Sequence, residues 1–148
     1  MPHLELESFL PYRLSVLSNK VSNAIARDYA DRFGITVPEW RVMAVLGRFG
    51  AETATGLCER TTMDKVTISR ATAKLLSREF VSRKTDPGDR RRIIFDLSQA
   101  GRRIHDEIVP VALAHEKRLM AGLNATEARQ LDGLLTKLQQ QSLDPPTR

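Results

Sequence analysis

The sequence holds one strong turn, Asp86-Pro87-Gly88-Asp89, between two β-prone runs, while apolar residues elsewhere recur at helical spacing. Phe80, Val81 and Arg83 precede the turn and Ile93, Ile94, Phe95 and Leu97 follow it, so the stretch reads as a β-hairpin. Leu10, Leu14, Leu17, Val21, Ile25 and Tyr29 stand three or four apart, which is the period of a helix with one buried stripe. Only a mainly α fold carrying a small β-hairpin accommodates both patterns.

The capping residues divide the helical part further. The first helix runs over roughly 6 to 32 and stops at Gly34. Thr36 and Glu39 have capping-box spacing and open a second helix over about 37 to 49. Thr53 caps a short third helix carrying Leu57 and Cys58, and Asp64 caps a fourth whose core face is Ile68, Ala71, Thr72, Leu75 and Leu76. After the hairpin, Ser98 caps a long helix with Ile104, Ile108, Val111 and Leu119, expected to bend at Pro110. Asn124 and Glu127 open the last helix, with Leu131, Leu134, Leu135 and Leu138, and the tail LDPPTR is expected to fray. One domain of 148 residues follows. Its first and last helices carry longer apolar stripes than so small a core can cover, which predicts a homodimer.

Charge is concentrated. Residues 60–92 hold ten basic and four acidic side chains, a net +6 in a chain whose total is +5. Such a segment suits a polyanion, against the plainer alternative of a solvated face. On the fourth helix the side opposite the core carries Val66, Ser69, Arg70, Ala73, Lys74 and Ser77, flanked by Lys65 and Thr67, with no acid from Lys65 to Arg78. Exposed faces usually mix Glu with Lys. This one can enter a major groove, with Arg and Lys donating to guanine edges and Val66 touching a thymine methyl. The hairpin's DPGDRRR tip brings Arg90 and Arg91 to a narrow turn, the chemistry of a minor-groove probe. Asp89 has two roles open to it, which are compatible: orienting Arg91 by a charge-assisted hydrogen bond, and closing an Asx-turn.

The runs LCERTTMDKVTISRATAKLL and FVSRKTDPGDRRRIIFDLSQAGRR resemble the helix-turn-helix and wing of MarR-family regulators, and the order of flanking helices agrees along essentially the whole chain. The resemblance implies a winged helix-turn-helix over 36–97, with dimerising helices at 6–32 and 98–143. It places Thr67, Ser69 and Arg70 where the family reads bases, and Asp89 and Arg91 where its wing enters the minor groove. Thr55, Lys65, Val66, Lys74 and Arg90 complete the candidate DNA-binding set. The implied partner is a pseudo-palindromic double-stranded DNA. Three departures stand out: Cys58 replaces a usual Ala, Thr62 a frequent Gly, and Glu79 a usual Gly. Only Glu79 is expected to cost anything, about 1 kcal/mol if it must be left-handed.

FLPYRLSVLSNKVS followed by PEWRVMAVLG resembles the subset of the family that controls catabolism of aromatic acids. Arg13 and Arg41 are candidate guanidinium partners for an aromatic carboxylate effector, with Trp40 as a ring wall; salt bridges and core packing are the alternative. Cys58 is the sole cysteine and reads as a small packing residue, with a thiol-sensing repressor as the alternative. His3, His105 and His115 lack metal-ligand spacing, and no cofactor is expected. No nucleophile with a partnered base and no Gly-rich phosphate loop can be assembled, so an enzyme is not expected. No apolar run suits a membrane helix or a signal peptide, so a cytoplasmic location is expected, with no membrane partner. The rival to a DNA-binding regulator is a basic winged-helix module that binds protein.

Overall fold

The computed structural model describes residues 1–141 and 143. A single 3-10 turn, Leu6–Ser8, precedes α1 (Leu10–Phe33), α2 (Val37–Phe49), β1 (Glu52–Thr53), α3 (Ala54–Thr61), α4 (Lys65–Ser77), β2 (Val81–Asp86), β3 (Asp89–Leu97), α5 (Gln99–Met120) and α6 (Ala125–Gln139). The fold is thus mainly α with one small antiparallel sheet, as expected. The first helix proves shorter at its start, because Phe9 is extended and the chain enters α1 only at Leu10 and Pro11. The expected fraying of the tail concerns residues 143–148, of which 144–148 lie outside the described residues.

The capping oxygens act as their spacing implies. Thr36 accepts from the Glu39 backbone N–H, Thr53 from Gly56, Asp64 from Thr67, and Asn124 from Glu127. Ser98 accepts from Gly101 at the start of α5. Each contact satisfies an amide donor that the first helical turn leaves without an intrahelical partner. Glu127 completes its box by reaching back to the Asn124 N–H. Glu39 instead meets the Thr36 hydroxyl.

The chain divides into two compact units, residues 1–112 and 113 onward. In the first, Tyr29, Ile35, Val42, Met43, Leu46, Leu57, Ile68, Leu75, Val81, Phe95 and Ile108 form one buried cluster. The fourth helix buries the predicted face, Ile68, Ala71, Thr72 and Leu75. Thr72 is accommodated there because its hydroxyl donates to the Ile68 carbonyl at 2.8 Å. Along α1 only Tyr29 is buried; Leu10, Leu14 and Leu17 are about half exposed, at 47, 44 and 52%. The second unit contains α6, where Leu131, Leu134, Leu135 and Leu138 are all exposed. The boundary falls inside α5, two residues beyond Pro110, and the helix continues through that proline. No described helix is long and apolar enough to cross a membrane.

The sheet has the order β1-β3-β2. β1 is a two-residue strand absent from the sequence reading, with Glu52 opposite Phe95 and Thr53 opposite Ile94. It ties the hairpin to the residue that caps α3. In the hairpin, Thr85 pairs with Ile93, but the next pair is Asp86 with Asp89. Arg90, Arg91 and Arg92 therefore have no counterpart between Thr85 and Asp86, and the strand bulges at its three arginines.

Candidate nucleic-acid interface

The exposed side of α4 is built by its cap and its core stripe. Asp64 holds the first turn through its 2.7 Å bond from the Thr67 N–H, and the same bonding lowers its carboxyl from the ordinary value of 3.8. With Ile68, Ala71, Thr72 and Leu75 turned inward, Lys65, Val66, Ser69, Arg70 and Lys74 face solvent and Thr67 is half-buried. Val66 is 60% exposed, an apolar side chain with no core role. The helix therefore presents cations, hydroxyls and one branched apolar group on a single face, a set able to make guanine, phosphate and thymine-methyl contacts.

The wing presents a second group. Asp86 accepts from the Gly88 N–H at 2.9 Å and lies 3.8 Å from Arg92 Nε, so the turn residue also anchors the last arginine of the bulge. Asp89 accepts from the Arg91 backbone N–H at 3.0 Å. Of the two roles left open by the sequence, the Asx-turn is the one seen. The backbone amide two residues on lies within reach of the short Asp side chain. Arg90 and Arg91 are exposed. An open crevice of about 790 Å³ brings Arg91 and Arg92 of the wing alongside exposed Thr55 on α3, with the carboxylates of Glu52 and Glu59 also in its lining.

Not all ten cations of residues 60–92 serve this surface. Arg60 pairs with Glu52 at 2.9 Å and lies 3.7 Å over the Phe49 ring. Arg78 is turned toward backbone carbonyls of α1. Lys65, Arg70, Lys74, Arg83, Lys84, Arg90 and Arg91 are exposed. The footprint is smaller than the residue count suggests, and it lies on α4 and the hairpin.

The MarR family's sequence profile matches residues 33–92, from the end of α1 to the wing arginines. The MarR-family transcriptional regulator SPO1453 of Silicibacter pomeroyi is 30% identical, with a TM-score of 0.77 over 92% of this chain and 96% of that one. This chain belongs to the MarR family. A curated relative of the MarR-family chain is the HTH-type transcriptional repressor NicR of Pseudomonas putida, 31% identical over 104 residues, which are 70% of this chain and 66% of NicR. At 22% identity, Bordetella bronchiseptica BpsR shares the fold, with a TM-score of 0.82 over 95% of this chain and all of that one; its structure concerns regulation of DNA binding by 6-hydroxynicotinic acid.

Within this MarR-family fold the residues read as ligand partners are only partly united. Trp40 is half-buried, its ring centroid 6.0 Å from Tyr29 and 5.6 Å from His105, so α1, α2 and α5 meet at this indole. Arg41 donates to Ser22 Oγ at 3.2 Å. Burial pushes the Tyr29 hydroxyl up to about 12; the Arg41 charge opposes that rise and Glu39 adds to it. Arg13 is exposed nine residues before Ser22, about 14 Å of helix rise away, and does not join this cluster. Cys58 is half-buried and packs against the core, as a small apolar residue should, and it also edges a cavity of about 270 Å³ with Ala54, Lys65 and Ser69.

The sequence reading missed two features here. Thr62, treated as harmless, shares with Glu79 a left-handed backbone, φ 58 and 60 respectively. Glu39, taken only as a cap, is buried with one carboxylate oxygen lacking a hydrogen-bond partner, beside a cavity that Thr67, Arg70 and Lys74 also line. Among the described residues no group of three or more His, Cys, Asp or Glu side chains could hold a metal ion.

Proposed function

We propose that this chain is a cytoplasmic, homodimeric, sequence-specific double-stranded DNA-binding repressor that a small aromatic carboxylate releases. The observation that carries the reading is the acid-free, solvent-facing side of α4, accompanied by a hairpin whose bulge displays Arg90 and Arg91. In this reading α4 enters the major groove, with Arg70 and Lys74 as hydrogen-bond donors and Thr67 and Ser69 as short polar contacts. Lys65 and Thr55 take phosphates, and the wing arginines enter the adjacent minor groove. Asp89 contributes by shaping the turn. Residues 36–97 form the DNA-reading lobe, and α1, α5 and α6 pair two copies, whose two α4 helices match a pseudo-palindrome. NicR, a repressor by name, and the half-exposed leucines of α1 support this.

The effector is proposed to act near Trp40 and Arg41, where α1, α2 and α5 converge. The BpsR structure makes 6-hydroxynicotinic acid the first probe. A ligand that prefers a dimer with misplaced α4 helices weakens DNA binding by its differential affinity for that state.

The test is a titration of the purified protein against labelled intergenic DNA beside its own gene, at two salt concentrations with excess competitor. Expected is competitor-resistant binding that Arg70→Ala and Arg91→Ala weaken about 10- to 100-fold, each contact being worth about 1–3 kcal/mol. Binding equal to that on random DNA, at this fragment and on a random-sequence library, would return the chain to the class of basic protein-interaction modules.

A further inference from the structure

The recognition helix ends in a three-residue joint that is held from both sides. Leu76 accepts from Glu79 N–H and Leu75 from Phe80 N–H, both at 3.0 Å, with Glu79 at φ 60, which makes this a Schellman ending with Glu in the place where Gly is favoured. From one side, Arg78 donates through its guanidinium to the Phe33 carbonyl at 2.6 Å and the Gly34 carbonyl at 2.8 Å, and it lies 4.6 Å from the Phe80 ring centroid. Those carbonyls close α1, whose last turn has no intrahelical donors for them. From the other side, Ser98 at the head of α5 donates its hydroxyl to the Glu79 carbonyl and its N–H to the Phe80 carbonyl.

We infer that Arg78 is a positioning residue that fixes α4 against the end of α1 and thereby sets which half-site spacing the dimer accepts. The inference rests on the function proposed above. Although it belongs to the basic segment, Arg78 directs its guanidinium at two backbone carbonyls. Its side chain spans 45 residues of sequence to reach the helix whose exposed leucines mark it for dimerisation. In a two-fold dimer the distance between the two α4 helices depends on how rigidly each is held to the pairing helices. A planar guanidinium bonded to two successive carbonyls and set over the Phe80 ring restricts both translation and rotation of the helix end. An ammonium has neither the fork nor the flat face to do so.

The experiment uses a duplex selected from a random-sequence pool by the wild-type protein, variants of it with one base pair added or removed between half-sites, and an isolated half-site. Wild type, Arg78→Lys and Arg78→Met are compared at several salt concentrations, with sedimentation to confirm the dimer. Expected for Arg78→Met is unchanged half-site affinity and salt slope, about tenfold weaker binding to the full site, and a flattened spacing preference, with Arg78→Lys between it and wild type. Three results overturn the inference: an unaltered spacing preference, an equal loss on the half-site, or a salt slope reduced by one phosphate contact. If Arg78→Met does not fold, Arg78→Lys is judged by the same three criteria. A wild-type chain that selects no two-half-site duplex overturns the functional reading and this inference together. Wild-type selectivity matched by the variants overturns this inference alone.

Discussion

Glu79 holds φ 60 at the end of α4, and Thr62 holds φ 58 before its start, so α4 is bracketed by two non-glycine residues in the left-handed region. A Cβ there costs about 1 kcal/mol each time, which glycine avoids at some entropic expense in the unfolded chain. Glu79→Gly is accordingly expected to raise stability by about 0.5–1 kcal/mol, or a rise of about 1–4 °C in Tm, as read by thermal unfolding. Gly101 presents the reverse case. A Cβ on it would run into the Phe80 carbonyl oxygen and carbon, backbone atoms that cannot swing aside. Gly101→Ala is expected to cost about 1–3 kcal/mol or more, and denaturant titration beside Glu79→Gly measures both signs in one series.

Among the elements, α4 depends on its Asp64 cap. The carboxyl's pKa is lowered chiefly by bonding from Thr67, so its contribution to stability is complete above the ordinary value of 3.8 and is lost as pH falls through the depressed folded value. Asp64→Asn keeps an acceptor but removes that acid-sensitive part. The stability difference between wild type and Asp64→Asn should therefore be greatest near neutrality and close below pH about 4, as read by denaturant melts at successive pH values. Such caps were fully legible in the sequence, since Thr36, Thr53, Asp64 and Asn124 need only an oxygen three residues before an amide. The stripe of α4 was legible for the same local reason. What the sequence concealed depends on distant partners. The bulge at Arg90, Arg91 and Arg92 appears only when β2 is laid beside β3, and β1 is too short to show any period. Arg78 looked like one more surface cation because the carbonyls it serves lie 44 and 45 residues earlier. The Asx-turn at Asp89 is local and was one of the two roles its position allowed, its carboxylate accepting from the amide two residues on.

For the whole molecule, exposed leucines are the feature that argues against a lone chain. Leu14 and Leu17 lie on α1 of the first unit, and Leu131, Leu134, Leu135 and Leu138 on α6 of the second. Leu17→Glu and Leu134→Glu are each expected to shift sedimentation from dimer to monomer and to abolish two-half-site DNA binding, since burying an unpaired carboxylate costs several kcal/mol. A dimer unaffected by both would place the interface elsewhere. The molecule also carries its own optical gauge. Its single tryptophan, Trp40, has the rings of Tyr29 and His105 centred 6.0 and 5.6 Å away, so the indole's emission is sensitive to the junction of three helices without any attached dye. Emission at that one residue can thus be followed in real time as an effector is added, and a shift that precedes DNA release would separate the moment of capture from the moment of letting go.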